Sequence, residues 1–353
     1  MIHGAELIGA GPRQPERELV QTLAWASVVG AALQFLVQLP STLRLAQHLR
    51  FRPDTTSPHV RSVLRNFGPA FVSRGVVQIS SYIDNWLATF LPVGMVATFG
   101  YASTIIVLPV SLFGMSVSAA QLPEMSSARG NEQEIADYLR ATLTRGLRHI
   151  AFFVIPSAAA FLAFGDVIAA LLFQRGKFTR ADSLFAWGIL AGAAVGLLAS
   201  TLGRLYSSTY YALKDTRTPL RFAIVRVLLT TVLGYVLALW LPPRIGLDPR
   251  WGAAGLTVSA GIAGWVEFAL LRFQMNSRIG ATGLPAKLVL SLWSSAAVAA
   301  LAGWEVRRLT TGVGTFVGGV LVLATYGVIF LLMAIALGIP EAHTALARVR
   351  ARF

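Results

Sequence analysis

Polar side chains recur along one face of an otherwise apolar segment, residues 66–91. Their spacing of i, i+4, i+7 and i+11 places them on one side of an α-helix. They are Arg74, Gln78, Ser81 and Asn85. The next apolar segment carries a matching set at seven-residue spacing, Thr104, Ser111 and Ser118. Two such faces predict a water-filled cavity, and hydrogen bonds between neighbouring helices are the alternative explanation.

Further charged residues fall inside apolar stretches, where an ionisable group is costly and asks for a reason. Arg204 lies at a depth similar to that of Arg74, so both suit a cationic cavity whose guanidinium groups would bind phosphate. Arg226 could extend to the membrane interface or form a structural pair with Glu267. Asp84 is a candidate for coupling to Na⁺ or H⁺, with a structural bond to arginine or backbone as the alternative.

The chemistry of soluble enzymes is not supported by the residue types present. The chain has no Cys, and its five His residues show no metal-ligand spacing. No phosphate-binding loop, hydrolase elbow or paired-carboxylate motif occurs, so we predict no catalytic residue and no metal ligand. A membrane glycosyltransferase would need acids at the outer interface. The acids that approach that position are Asp166, Asp182, Asp248 and Glu305.

The composition places the chain in a membrane. Apolar residues make up 55% of its 353 residues, and 13% are charged, about half the share found in soluble domains. The net charge of +14 fits loops that face anionic lipid, and it does not indicate a nucleic-acid partner.

Nine stretches are long and apolar enough to cross a bilayer as helices, which predicts an all-α polytopic membrane protein. They cover 19–43, 66–91, 93–122, 150–173, 183–212, 219–242, 251–271, 287–305 and 311–338. The uncharged joint around Pro92 predicts a tight hairpin between the second and third spans, because proline breaks a helix.

Alternate loops differ in basic residues, 18 on one side and nine on the other. The positive-inside rule then places the C-terminus in the cytoplasm and the N-terminus outside. A polar N-terminal segment of this kind needs something upstream to export it, so we expect Met1 to be an internal start in a longer protein.

A short amphipathic stretch precedes the fourth span. Asn131 and Glu134 match a capping box, and an i, i+4 apolar stripe follows them. The stripe is Ile135, Leu139, Leu143 and Leu147. This pattern predicts a cytoplasmic helix that lies on the membrane surface.

The order of residues resembles the MviN/MurJ family, the lipid II flippases of the multidrug/oligosaccharidyl-lipid/polysaccharide exporter superfamily. Four stretches carry the resemblance, which covers about residues 19–240. They are LQFLVQLP (33–40), GPAFVSRGVVQISSYIDNWLATFLPVG (68–94) with YASTIIVLPVSLFGMSVSAAQLPEMS (101–126), LLFQRGKFT (171–179) and YYALKDTRTPLRFAIV (210–225).

The resemblance implies a fourteen-helix fold of two six-helix lobes and two added C-terminal helices. The nine spans would be the sixth to the fourteenth helices, and the chain would be N-terminally incomplete. The implied parts are an outer tail and last helix of the first lobe (1–43), a cytoplasmic linker (44–65), the second transport lobe (66–271), and two additional helices with a cytoplasmic tail (272–353).

The sequence also departs from the family pattern. Thr104 and Val107 stand where many members have an arginine and a glutamate, and the arginine is regarded as a head-group contact. We hypothesise that Arg74 compensates for this missing charge. Arg226, Thr230 and Thr231 replace the small and Asn residues often seen on the sixth span, so a family-style ion site beyond Asp84 is not expected.

The resemblance therefore implies the C-terminal part of a lipid II flippase of the bacterial inner membrane. It would move undecaprenyl-diphosphate-linked peptidoglycan precursor to the outer leaflet by alternating access, without a cofactor, driven by Na⁺, H⁺ or the membrane potential. Expected partners are this precursor, membrane lipids and cell-wall synthesis enzymes. The alternatives are an exporter of other lipid-linked saccharides and an inactive half that scaffolds cell-wall enzymes.

Overall fold

A computed structural model describes residues 14–45, 75, 79–176 and 178–344. The chain divides into two compact units, Met1–Arg61 and Ser62–Phe353. In the first unit, the described part is one helix, α1 (Gln14–Leu45). Its large apolar side chains, among them Trp25, Phe35 and Val37, are exposed within that unit, as expected of a helix that meets lipid or other helices.

The described residues of the second unit form helices joined by short turns and loops. Its helices are α2 (residues 79–88), α3 (Met95–Pro109), α4 (Ser116–Ser126), α5 (Glu132–Phe173), α6 (Arg180–Ala212), α7 (Arg217–Tyr235), α8 (Leu241–Arg244), α9 (Gly252–Ile279), α10 (Ala286–Leu309) and α11 (Thr315–Ala336). A π-helical turn, Val110–Met115, joins α3 to α4 directly after Pro109. A second π-helical turn, Val236–Trp240, joins α7 to α8.

Eight helical segments in the described part of the chain are long and apolar enough to cross a membrane. They correspond to eight of the nine predicted spans and confirm an all-α, multi-pass architecture. The ninth predicted span, 66–91, lies partly outside the described residues.

The predicted break at Pro92 is confirmed. Helix α2 ends at residue 88, and α3 begins at Met95. The joint closes through Gly94, whose φ of 91° is a left-handed conformation that glycine adopts without a steric penalty. Leu91 and Met95 are both buried, so apolar side chains pack at both sides of this turn.

The predicted surface helix before the fourth span is wrong. The capping box is present, because Asn131 Oδ1 accepts from the Glu134 N–H at 2.9 Å and Glu134 Oε2 accepts from the Asn131 N–H at 3.0 Å. The helix that begins there continues for 42 residues to Phe173, about 63 Å at the usual rise per residue. Leu139, Leu143 and Leu147 are at most 1% exposed, because α5 packs against other helices of the unit. Protein, and not lipid, covers the apolar stripe.

Helix α6 lies at the centre of the second unit, between α5 and α9. Two glycines allow α6 and α9 to approach closely: a Cβ at Gly196 would lie 2.2 Å from the Gly261 Cα. The last two helices, α10 and α11, pack on each other and on α5, so they extend the lobe on the side of α5.

Candidate functional site

A buried ion pair joins α7 to α9. Arg226 Nη1 donates to Glu267 Oε2 at 2.9 Å, and the two side chains are 20% and 10% exposed. The sequence offered this pairing and an extension of Arg226 to the interface as alternatives, and the structure contains the pair. Each charge therefore compensates the other where water has little access.

Gly234 on α7 lies against both α2 and α9. A Cβ at Gly234 would lie 3.1 Å from Leu87 Cδ1 of α2 and 3.4 Å from Ser259 Oγ of α9. Asp84 lies one turn before Leu87 on α2, and Arg226 lies two turns before Gly234 on α7. Asp84 and Arg226 thus lie on two helices that pack against each other.

Asp84 is only partly satisfied in this position. Its Oδ1 atom is buried, and no group among the described residues donates a hydrogen bond to it. The hydroxyl of Thr230, one turn along α7 from Arg226, is likewise buried without a partner in the described part of the chain. Both oxygen atoms could therefore form hydrogen bonds that the described side chains do not provide.

Arg204 of α6 is the fourth charged member of this group. It interacts electrostatically with Arg226, which repels it, and with Glu267, which attracts it. Its Nε–H is buried and has no acceptor within the described ranges. We call Asp84, Arg204, Arg226 and Glu267 the charged cluster; its formal charges, two positive and two negative, sum to zero.

Two residues of the predicted polar face, Arg74 and Gln78, lie outside the described residues. Ser81 and Asn85 are exposed on the surface of the second unit, and Asn85 Nδ2 donates to the Ser81 carbonyl at 2.8 Å. Asp84 is half-buried, and its Oδ1 atom is buried. No hydrogen bond or ion pair of the described residues joins this exposed face to the charged cluster.

The matching face on α3 and α4 is divided between the surface and the interior. Thr104 is exposed and donates to the Gly100 carbonyl at 3.1 Å, and Val107 is exposed beside it. Ser111 is half-buried, with its hydroxyl 3.8 Å from the Met115 sulfur. Ser118 is 7% exposed and lies inside the lobe.

Two polar residues near Ser118 were not anticipated from the sequence. Gln121 Oε1 and Thr142 Oγ1 are buried and have no hydrogen-bond partner among the described residues. A Cβ at Gly146 would lie 2.2 Å from Gln121 Oε1, so the glycine makes room for the amide. A glycine within the amphipathic stripe of α5 was the available signal, although its partner could not be known from spacing.

The four acids that approach the predicted outer interface all have structural partners. Asp166 Oδ1 and Oδ2 accept from Arg307 at 3.1 and 2.6 Å, and Glu305 accepts from Arg308 at 3.0 Å. Asp182 caps α6 through Thr179, and Asp248 accepts from the Arg250 N–H at 2.9 Å. Their roles in helix capping and ion pairing account for their positions.

Eight candidate spans among the described residues, and a partly buried charged cluster contributed by four helices, define a multi-pass α-helical membrane protein. The chain belongs to the MurJ family, because the family model described as "Lipid II flippase MurJ" matches residues 7–344. This match confirms the family resemblance predicted from the sequence.

Individual relatives agree with the family match. The lipid II flippase MurJ of Burkholderia cenocepacia is 31% identical over 263 residues, 73% of this chain and 49% of the relative. The probable lipid II flippase MurJ of Bdellovibrio bacteriovorus is 29% identical over 301 residues, 83% of this chain and 54% of the relative. The chain thus spans about half the length of these curated relatives.

A solved structure shares the fold. It is titled "Lipid II flippase MurJ, inward closed conformation", and it aligns with a TM-score of 0.65 at 23% identity. The alignment covers 87% of this chain and 59% of the solved one.

Proposed function

We propose that this chain forms the second helical lobe of a lipid II flippase in the bacterial inner membrane, with its C-terminus in the cytoplasm. The complete transporter would move undecaprenyl-diphosphate-linked peptidoglycan precursor from the inner to the outer leaflet by alternating access. The observation that carries the proposal is the family match across residues 7–344.

The exposed polar residues of α2 and α3 provide one wall of the proposed cavity. Ser81, Asn85 and Thr104 are exposed within the second unit, on helices that are otherwise apolar. Exposed polar groups at membrane depth are favourable when they face water or another helix. We propose that they face a central cavity that helices of a first lobe would complete, and that Arg74 and Gln78 contact the diphosphate there.

The charged cluster would set the electrostatic potential behind this wall. Arg204 would contribute positive potential towards the diphosphate, and Asp84 would respond to Na⁺ or H⁺, or to the membrane potential. Asp84 supports an ion role because its Oδ1 is buried and accepts no hydrogen bond from the described residues. We also propose contacts with membrane lipids and with cell-wall synthesis enzymes.

The test is transport of fluorescent lipid II in proteoliposomes, followed by its accessibility to a membrane-impermeant quencher. The chain would be reconstituted alone and together with the N-terminal half of a relative. We expect transport only in the combined sample. A combined sample that binds lipid II yet never exposes it to the quencher would refute the proposal and favour a scaffold.

Variants of the combined sample test the cavity wall. Ser81→Ala with Asn85→Ala should lower the transport rate severalfold, because two polar groups leave the proposed wall. Ser294→Ala is the matched control: this exposed hydroxyl also bonds a carbonyl of its own helix, at 3.0 Å, but it lies on α10. Equal transport rates in both variants would argue against a cavity at α2 and α3.

Ion dependence tests Asp84 in the same assay. Asp84→Asn should remove the dependence of transport on Na⁺ or pH. An unchanged ion dependence in this variant would exclude Asp84 from coupling.

A further inference from the structure

A cavity of about 430 Å³ lies at one end of the helical bundle, where α5 and α10 end and α6 begins. This volume lies within the range of small-molecule sites, roughly 300–1,000 Å³. Its apolar wall includes Leu162 and Leu184, which are 43% and 46% exposed. Trp187 and Trp304 also line it, and Arg307 and Arg308 supply charge. The position at helix ends corresponds to a membrane interface, where tryptophan and arginine are favoured.

The backbone of α5 is interrupted beside this cavity. Phe164 has φ −136° and ψ 19°, which are not helical angles. The carbonyls immediately before this kink accept hydrogen bonds from the two indoles: Trp187 Nε1 donates to Leu162 O at 2.9 Å, and Trp304 Nε1 donates to Ala163 O at 3.4 Å. The two rings are therefore held in fixed positions by α5.

Glycines permit this close arrangement. A Cβ at Gly165 would lie 2.7 Å from Trp187 Cδ1, and a Cβ at Gly303 would lie 2.7 Å from Phe164 Cζ. Larger residues at either position would displace the aromatic rings. The two glycines thus leave the space in which the aromatic rings pack beside the kink.

The charged groups of the cavity leave one arginine available to an anion. Arg307, Arg308 and Asp166 line the cavity, and Glu305 pairs with Arg308 at 3.0 Å, so the four formal charges sum to zero. Arg307 is committed to Asp166 by two hydrogen bonds of 3.1 and 2.6 Å. Arg308 pairs with Glu305, but these side chains are 69% and 65% exposed, and exposed ion pairs contribute little. Arg308 is therefore available to a competing phosphate.

We propose that this cavity binds an anionic phospholipid of the surrounding leaflet. Its phosphodiester would accept hydrogen bonds from Arg308 at the rim, and one acyl chain would lie along Leu162 and Leu184 between the two indoles. An apolar wall beside an arginine whose acidic partner is exposed matches the acyl chain and phosphodiester of an anionic lipid better than it matches a soluble phosphate. This inference does not depend on the proposed transport activity.

The probe is phosphatidylglycerol with brominated acyl chains, added to the purified full chain in detergent. Bromine quenches tryptophan fluorescence at short range, so binding is followed as saturable quenching. We expect Trp187→Phe with Trp304→Phe to remove most of this saturable component. Arg308→Gln should raise the lipid concentration for half-maximal quenching about tenfold, the value of one charge-assisted hydrogen bond. Arg308 is exposed, so the variant should remain folded, which its thermal unfolding curve would verify.

Arg250→Gln is the matched control. Arg250 lies close to the same end of the bundle, with its guanidinium 5.6 Å from the Phe185 ring, and it does not line the cavity. The lipid concentration for half-maximal quenching of Arg250→Gln should equal that of the unmodified chain. Brominated phosphatidylethanolamine should bind more weakly, and glycerol 3-phosphate should not compete.

Three results would overturn the proposal. Equal quenching of the unmodified chain and Arg308→Gln would remove the phosphate contact. Competition by glycerol 3-phosphate at lipid-like concentrations would assign the site to a soluble phosphate. Quenching that persists in the doubly substituted tryptophan variant would place the lipid elsewhere.

Discussion

The ion pair between Arg226 and Glu267 permits a quantitative test of the charged cluster. Glu267→Met removes the acid at 2.9 Å from Arg226 and leaves two arginines, Arg226 and Arg204, with Asp84 as the remaining acid of the cluster. The side chains are at most 20% exposed, so solvent screens the remaining charge poorly. Breaking a buried pair at one partner costs about 3–5 kcal/mol, and we expect a loss in this range for Glu267→Met.

The reciprocal and double variants determine whether the cost arises from the interaction. Arg226→Met should be similarly destabilised, because Asp84 and Glu267 then share Arg204. The double variant leaves Asp84 and Arg204, whose charges balance, and replacement of a buried pair by apolar side chains is often neutral. We therefore expect the free energy of unfolding of the double variant to lie within about 1 kcal/mol of that of the unmodified chain. The coupling free energy between Arg226 and Glu267 is then about 5 kcal/mol or more.

The assay is unfolding of the full chain in mixed micelles by titration with sodium dodecyl sulfate, followed by circular dichroism. The matched control is the pair of Glu124 and Arg145, which also joins two helices, at 3.1 Å, but is 37% and 65% exposed. Its double-mutant cycle should give a coupling of about 1 kcal/mol or less. Additive effects in the Arg226–Glu267 cycle, or equal coupling in the two cycles, would refute the reasoning.

Two further predictions concern helix packing and acid stability. Gly196→Ala places a methyl group 2.2 Å from the Gly261 Cα and should lower the free energy of unfolding by about 1–3 kcal/mol, measured by thermal unfolding. Gly203→Ala is the control: its Cβ would meet one leucine methyl at 3.9 Å, so the free energy of unfolding should be unchanged or rise by up to about 1 kcal/mol. Equal losses in the two variants would contradict the α6–α9 contact. Burial alone would raise the pKa of Asp215, but hydrogen bonds from the start of α7 and from Arg278 hold this pKa below its ordinary value of 3.8. The stabilisation from Asp215 is then fully present above pH 3.8 and is lost as the pH falls through the lower pKa of the folded state. The difference in unfolding temperature between the unmodified chain and Asp215→Asn should therefore shrink below about pH 4. A difference that stays constant with pH would count against this contribution.

The membrane-spanning helices were predictable because apolar length is a property of the sequence alone. The sequence alone does not show whether lipid or protein covers an apolar stripe. Leu139, Leu143 and Leu147 look the same in sequence whether lipid or protein lies against them, and only the tertiary fold shows that they are buried by protein. Capping boxes such as Asn131 with Glu134 were predictable because all their atoms come from four consecutive residues.

The candidate site was predictable in its residue types and less so in its contacts. Arg226 and Glu267 were paired on the basis of similar depth, which is enough when two helices are neighbours. The packing of α2 on α7, which carry Asp84 and Arg226, is seen in the contact of Leu87 with Gly234, between segments about 150 residues apart. Periodicity reports only which face a residue occupies, and the neighbour of that face is decided by the whole fold.

The environment of Asp84 bears directly on how an ion could act there. A carboxylate near a guanidinium already has a counter-charge, so Na⁺ or H⁺ at Asp84 must compete with Arg226 for the same group. Arg226 is itself held by Glu267 at 2.9 Å, which limits how fully it can turn to Asp84 and is consistent with the unused hydrogen-bonding capacity of Oδ1. Neutralising Asp84 would leave one excess positive charge in the cluster, shared by Arg204 and Arg226. A change in the charge of this single residue would therefore alter the electrostatic potential of the charged cluster.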